Sequence, residues 1–328
     1  MTDFTKNFRT PVQLTAEARA AFRTTVEGYA TSSILPIQQN YTLDYNFTTG
    51  STGLPAAANY RSFNTQSDVG STQAGETRSG KLPPISRRMH VDEFQQLQMY
   101  GQTDAIGQKF EEYARLVGQM IGLRVVLAQA EGLETGKVSI AERGLTFEID
   151  FGRKAELNAT VAVPWSDLEN SDPIADLMAY REKFGAVSGL LISRQAMTYL
   201  MRNKSIIAVA GVTASILSEA MVRSALSDFG FGNIQIDESI VSDQDGVERP
   251  LFSADKIIFL GAGQVGRTDI GVPAEVIQPE NGISGADQAG LFSGALASND
   301  PAGFDVLVSA IALPVITAAN KTGALDVF

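Results

Sequence analysis

The sequence predicts an α+β fold organised around one long helix, and three observations predict it. Between residues 92 and 131, Ile106, Phe110, Tyr113, Val117, Met120 or Ile121, and Leu127 recur at spacings of three and four, an apolar stripe broken only near Arg124. Several later runs alternate apolar and polar side chains with the period of two that marks half-buried strands. Ahead of the helix lies a Gly-, Ser-, Thr- and Asn-rich excursion far longer than the ~15 residues a structureless loop normally reaches in a compact domain.

Composition bounds the function. A chain of 328 residues can bury a sizeable core in two domains, or in one with large excursions, and an apolar fraction of 44% argues for a folded chain. With 26 basic and 37 acidic residues the net charge is −11, which favours solubility and suits the chain poorly to wrapping DNA. The absence of cysteine excludes disulfides, thiolate catalysis and cysteine-ligated zinc. A single histidine, His90, excludes a multi-histidine metal site. No run approaches the ~18 apolar residues that span a bilayer, and no signal-peptide core opens the chain. The expectation is an unexported, cytoplasmic protein without a membrane partner.

The elements follow in order. Residues 15–29 read as a short amphipathic helix with Thr15 as N-cap. "YTLDYNF" alternates Tyr41, Leu43, Tyr45 and Phe47, a strand whose apolar row needs a surface to cover. The long helix starts after an N-cap at Asp92, and at 1.5 Å per residue would run roughly 45–60 Å. "GKVSI", "LTFEIDF" and "ELNATVAV" read as strands. "SDPIADLMAYREKFG" carries an N-cap Asp172, Pro173 at the first position and Gly185 after the end. "AVSGLLIS" reads as a buried strand ending at the N-cap Ser193 of another helix, and a further helix runs from Ser218 to Gly230. "NIQIDESIV" and "KIIFL" read as strands flanking a turn at "DQDG", and the final stretch from Asp305 is strand-like.

The candidate chemical motifs fail on context. "GAGQVG" places Gly261, Gly263 and Gly266 on dinucleotide-binding spacing behind an apolar run, the alternative reading being a nucleotide-dependent oxidoreductase. That reading requires a helix to open at the third glycine, but "RTDIGVPAEV" puts Gly271 and Pro273 into its first turns. A glycine-rich connection between strands explains the string better. His90 lies beside no nucleophile motif, and "DQDG" lacks the further ligands of a calcium loop and reads as a hairpin turn. Trp165 reads as a core anchor. No catalytic, cofactor or metal site is expected. The charge pattern is more informative: Arg78, Lys81, Arg87 and Arg88 gather at the root of the excursion, and Asp92, Glu93, Asp104, Glu111 and Glu112 at the start of the helix. Basic root and acidic helix start, repeated in every copy, could dock one copy on the next. Tyr41, Leu43, Tyr45, Phe47, Arg78, Lys81, Arg87, Arg88, Glu111 and Glu112 are therefore the candidate contacts between copies.

The order of parts resembles a tailed-phage major capsid protein, of the lambda-type major capsid protein E family. The residues that carry the resemblance are "PISRRMHVDEF", "GLTFEIDFGRKAELNATVAVPWSDLENSDPIADL", "LISRQAMTYLMRN", "DESIVSDQDGVERPLFSADKIIFLGAGQVGRTDIGVPAE" and "SAIALPVITAAN". They span nearly the whole chain, with "IDFGR…VPWSD…DPIADL" the most specific. The resemblance implies the Hong Kong ninety-seven capsid fold: an N-terminal arm at 1–36, an extended hairpin arm at 37–91 and a spine helix at 92–135. It further implies a peripheral domain at 136–175 with 305–328, and an axial domain at 176–304. It implies no enzymatic activity and no cofactor, but self-association into hexamers and pentamers of an icosahedral shell around double-stranded DNA. Expected partners are a portal, a separate scaffold chain and a decoration protein. Relatives that cross-link an arm lysine to a peripheral asparagine would direct attention to Lys81 with Asn158 or Asn320, although no motif supports such a link here.

Overall fold

A computed structural model describes residues 4–49, 58, 60–63, 65–66, 76–102, 104–142 and 144–328. The chain opens with α1 (Pro11–Glu27), α2 (Thr31–Ile34) and β1 (Ile37–Gln39). A hairpin of β2 (Asp44–Thr49) and β3 (Glu76–Lys81) leads into β4 (Pro84–Val91). Next come α3 (Glu93–Gln98), α4 (Ala105–Thr135), β5 (Lys137–Glu142), β6 (Leu145–Asp150) and β7 (Asn158–Thr160). The central part comprises α5 (Pro173–Phe184), β8 (Val187–Ser193), α6 (Arg194–Arg202), α7 (Lys204–Ala210) and α8 (Glu219–Asp228). Four strands follow: β9 (Ile234–Asp237), β10 (Ile240–Ser242), β11 (Glu248–Pro250) and β12 (Lys256–Gly261). The chain closes with β13 (Arg267–Ile270), β14 (Phe292–Asn299), β15 (Ala302–Val315) and β16 (Thr322–Asp326).

Two five-stranded sheets take most of the strands, and β2-β3, β5-β6 and β10-β11 pair as separate hairpins. The first is ordered β1-β13-β15-β14, with β4 on the other side of β15. β15 is long enough to serve three neighbours: Ala302–Ser309 pair with β14, Ala312–Val315 with β13, and Phe304–Ile311 with β4. The second sheet runs β7-β16-β12-β8-β9. One core joins α1, α4 and the first sheet, and a second gathers Trp165, Tyr180, Leu190, Phe231 and Phe259 around the second sheet. The sheets distribute the chain differently from the expected peripheral and axial ranges. β16, expected with β15, crosses to pair with β12 and β7, whereas β13 and β14, expected in the axial range, pair with β15.

α1 begins earlier than its periodicity suggests. Thr10 is the N-cap, in a capping box with Gln13, and Pro11 fills the first turn. Thr15 is buried instead, where its hydroxyl accepts from the Ser293 N–H at 2.9 Å and donates to the Ser293 carbonyl at 3.2 Å. The helix expected from residue 92 is two helices. Asp92 does cap α3, its carboxylate accepting from the Gln95 N–H at 2.7 Å. Gly101 (φ 79°) and Asp104 (φ 63°) then take left-handed backbone, which a right-handed helix cannot accommodate. α4 starts afresh and continues for 31 residues, about 46 Å at the usual rise. By length and composition α4 could cross a bilayer, but 67% of its most apolar window is buried inside the protein, as in a core helix.

α1 crosses α4 through a notch of small residues. A Cβ on Gly118 would lie 2.5 Å from the Ala18 carbonyl oxygen, so only glycine permits this approach. At the other end of α4, Arg153 is 9% exposed and donates to the carbonyls of Gly132, Leu133 and Glu134, to Thr322 Oγ1 and to Asn158 Oδ1. Of these the helix end leaves the Leu133 and Glu134 carbonyls open, whereas Gly132 also accepts from the Gly136 N–H at 2.9 Å, and the guanidinium places a cation at the negative pole of the helix dipole. Burial pushes its guanidinium down to about 10, still charged at neutral pH.

In the second body the local signals hold. Asp172, Ser193 and Ser218 cap α5, α6 and α8, and Gly185 and Gly230 follow α5 and α8 with positive φ. Trp165 is fully buried and its Nε1–H donates to Asp176 at 2.9 Å. "DQDG" is a hairpin turn in which the Asp243 carboxylate accepts from the N–H groups of Asp245 and Val247. α7 carries the same marks, the Asn203 side chain accepting from the Ser205 N–H at 2.8 Å and Gly211 following at φ 66°, whereas the break between β9 and β10 has no signal of comparable strength.

The glycine string connects the two sheets. Gly261 ends β12 and Gly263 takes φ 85°. Strand β13, and no helix, begins directly after Gly266. A Cβ on Gly266 would lie 2.4 Å from the Val315 carbonyl oxygen, so the glycine serves a close backbone crossing rather than a pyrophosphate.

Candidate assembly surfaces

The excursion folds back on itself as a hairpin with Asp44 opposite Lys81 and Thr49 opposite Glu76. Its aromatic row divides in two, which corrects the expectation that all four side chains await a neighbour. Tyr45 and Phe47 are buried in their own chain, with the Phe47 ring 5.2 Å from that of Phe151. Gly80 lies opposite Tyr45 because a Cβ there would meet the phenol oxygen at 2.5 Å. Burial raises the Tyr45 hydroxyl above its ordinary pKa. Tyr41 and Leu43 remain 55% and 46% exposed. Their separation from the row has a local cause: the Asn40 amide oxygen accepts from the Thr42 N–H and hydroxyl at 2.8 and 2.7 Å, bending the chain before β2 begins.

The basic root is spread over several environments. Arg78 donates to the Asp150 carbonyl at 2.8 Å and pairs with Glu76, fastening the hairpin to the end of β6. Lys81 is exposed and forms no ion pair among the described residues. Arg87 and Arg88 are neighbours on β4, so their side chains leave opposite faces of the sheet. Arg88 shares Asp305 of β15 with His90, at 3.3 and 2.9 Å, and Arg87 is exposed. His90 is thus a strand residue with a carboxylate partner rather than a loop residue before the helix.

The acidic start of the helix already has cations in its own chain. Arg9 donates to Asp104 at 2.7 Å and also pairs with Glu111, and Lys109 pairs with Glu112 at 2.9 Å. Glu111 and Glu112, expected to face a neighbour's basic root, thus also have cationic partners within their own chain. Hydrogen bonds to Asp104 and Glu111 raise the Arg9 guanidinium, and the same contact holds the Asp104 carboxyl below its usual range. Lys109 is raised by Glu112. Arg9 is invisible to spacing arguments, since 95 residues separate it from Asp104. Its one signal is its position immediately before the capping pair Thr10-Pro11.

Reading one continuous helix also hid an apolar face. With α3 standing apart, Phe94, Leu97 and Tyr100 emerge at intervals of three with 67%, 67% and 87% exposure. The two asparagines suggested for a cross-link are in use, Asn158 accepting from Arg153 and Asn320 from the Lys154 N–H at 3.0 Å. Such surfaces supply contact area and charge. Among the described residues the one imidazole faces a carboxylate, an arrangement without a nucleophile.

The family profile described as Phage major capsid protein E matches residues 10–326. The chain belongs to this family. Similar solved structures share its architecture. A prophage capsid protein from E. coli CFT073 is 16% identical, with 96% of this chain and 99% of that one covered at a TM-score of 0.61. A phage-related protein from Bordetella bronchiseptica RB50 is 13% identical, with 94% and 96% covered at a TM-score of 0.56. No curated protein matches the sequence. The fold is the Hong Kong ninety-seven type, and the capsid protein is a structural component of the phage particle that assembles with itself. The nucleotide-dependent alternative finds no support in family or fold.

Proposed function

We propose that this capsid protein forms the hexamers and pentamers of an icosahedral head around double-stranded DNA, without catalysing a reaction. The family match over residues 10–326 carries the reading, because it includes the arm, the spine and both sheets. The body built on the first sheet and α4 acts as the peripheral domain, and the body built on the second sheet as the axial one. Contacts between copies use what each chain leaves exposed: Tyr41, Leu43, Lys81, Arg87, and Phe94 and Leu97 of α3 with Tyr100 in the turn beyond it. The acidic surface of a chain with net charge −11 lies beside DNA without gripping it. A portal, a separate scaffold chain and a decoration protein complete the particle, which assembles in the host cytoplasm. Electron microscopy of the purified protein, with its scaffold where one is needed, tests the proposal. Closed shells with five- and six-fold clusters are expected. A protein that stays monomeric under every assembly condition, scaffold included, would overturn it.

A further inference from the structure

At the foot of the hairpin arm, a polar crevice of about 250 Å³ opens between β1, β2 and β13. One of its walls is Asp269, a carboxylate 1% exposed. Arg267 donates from Nε to Asp269 Oδ1 at 2.7 Å, yet Oδ2 has no hydrogen-bond partner among the described residues. Buried polar atoms in folded proteins are nearly always paired, so an orphan of this kind asks for a partner. A carboxylate oxygen can only accept, and its strongest partners are charged donors.

The rest of the crevice agrees on the sign of the guest. Gln38, Asn40 and Asn46 add amide groups, and Asp44 adds a second carboxylate. Asp44 forms no ion pair among the described residues, not even with Lys81 directly across the hairpin. Against these two carboxylates stands the one guanidinium of Arg267, which leaves room for one more positive charge. The volume falls below the ~300–1,000 Å³ typical of small-molecule sites. It suits a single side chain. A metal ion fits poorly, because no three His, Cys, Asp or Glu side chains cluster among the described residues, and a hard cation wants six or more oxygens.

We propose that this crevice is a socket for one basic side chain of a second copy of the chain, whose ammonium or guanidinium donates to Asp269 Oδ2 and faces Asp44. The inference rests on the shell-forming reading above, which supplies the second copies. It adds a specific polar lock to contacts otherwise made by exposed apolar and basic groups. The chain has cations to offer, since Lys81 and Arg87 are both exposed and form no ion pair among the described residues.

The decisive measurement is a reconstruction of the assembled shell at side-chain resolution. A lysine or arginine of a neighbouring copy within hydrogen-bond reach of Asp269 Oδ2 is expected. Solvent alone, an inorganic ion, or the same chain's Lys81 in that place would overturn the socket. If no shell forms at all, the shell-forming reading itself has failed, a different and distinguishable result. In solution, Asp269→Asn keeps an acceptor for Arg267 and removes the charge. Asp44→Asn removes the second charge at an exposed position where folding is not at stake. Each variant should melt near wild type and assemble roughly tenfold less at low salt, with the difference shrinking as salt rises. Unchanged assembly in the Asp44 variant, together with unchanged assembly or an unfolded chain in the Asp269 variant, would sink the proposal.

Discussion

The two ends of α4 are each held by an arginine from a distant part of the chain, and they are held in opposite ways. At the first turns, Arg9 reaches Asp104 and Glu111, whose side chains are 43% and 27% exposed. At the last turn, Arg153 is buried and donates to backbone carbonyls, a hydroxyl and an amide. The first is an ionic latch in contact with water, open to salt and acid. The second replaces the solvent of a helix end with five protein acceptors, and is indifferent to both. In a protein that must fold once and then make contacts with copies of itself, the difference separates a permanent joint from an adjustable one. Removing or modulating each joint should show this.

The largest loss is expected from Arg153→Met. It fills much of the same volume but strands the carbonyls of Leu133 and Glu134, for which no other donor is present among the described residues. Loss of one partner from a buried charged network costs about 3–5 kcal/mol. The urea midpoint should fall accordingly at unchanged slope. A shift of a few tenths would mean that water enters and takes over the role.

Next in size is Gly118→Ala, at the crossing of α1 and α4 and midway between the two joints. Its Cβ would sit 2.5 Å from a backbone oxygen, a neighbour that can move only if α1 moves. Overpacking of this kind costs roughly 1–3 kcal/mol. Gly122→Ala is the internal control, since its Cβ would first meet the Thr25 side chain at 3.1 Å and should lose less. Equal effects at both positions would show that helix propensity, and not the close crossing, governs the result.

The exposed latch should respond least, and its response should depend on conditions. Arg9→Gln is expected to lower the melting temperature less than either change above, with the difference fading in high salt. Acid should remove the same contribution from the wild type. The Asp104 carboxyl is held below its ordinary 3.8 by Arg9, so its contribution is full above that value and is lost as pH falls through the lower, folded value. Arg9→Gln should flatten that part of the stability profile between neutral pH and acid. Superimposable profiles would mean that the latch contributes nothing.

The same contrast explains what the sequence could and could not show. Features that act within a few residues were legible: the caps at Asp172, Ser193 and Ser218, the closing glycines, the alternating strands and the α4 stripe. Long-range partners were not. Arg153 appears in "IDFGR" as one more charged residue, because Thr322 and the end of α4 lie 169 and about twenty residues away. Nor could alternation alone say which surface covers a row. Tyr41 to Phe47 reads as one face, and a side-chain turn at Asn40 divides it into an exposed pair and a buried pair. The crossing of β16 into the second sheet is likewise a matter of tertiary packing, with no local residue to announce it.

The final prediction concerns the arm root, where the expected effect on stability is close to nil and the effect on assembly is the whole signal. Arg87→Glu with Arg88→Glu should leave the free subunit melting near wild type, because both side chains are solvated. The single changes should differ. Arg88 already shares Asp305 with His90, so its reversal puts like charges across adjacent strands and disturbs the subunit slightly. Arg87 leaves the opposite face with no ion partner among the described residues, so it is the side chain free to meet another copy. Arg87→Glu alone should therefore reproduce most of the double variant's loss of particle yield, measured by light scattering at low salt. Wild-type yield from Arg87→Glu would transfer the role to Arg88 or to the apolar face of α3. Wild-type yield from the double variant would reduce the whole basic root to solvated surface.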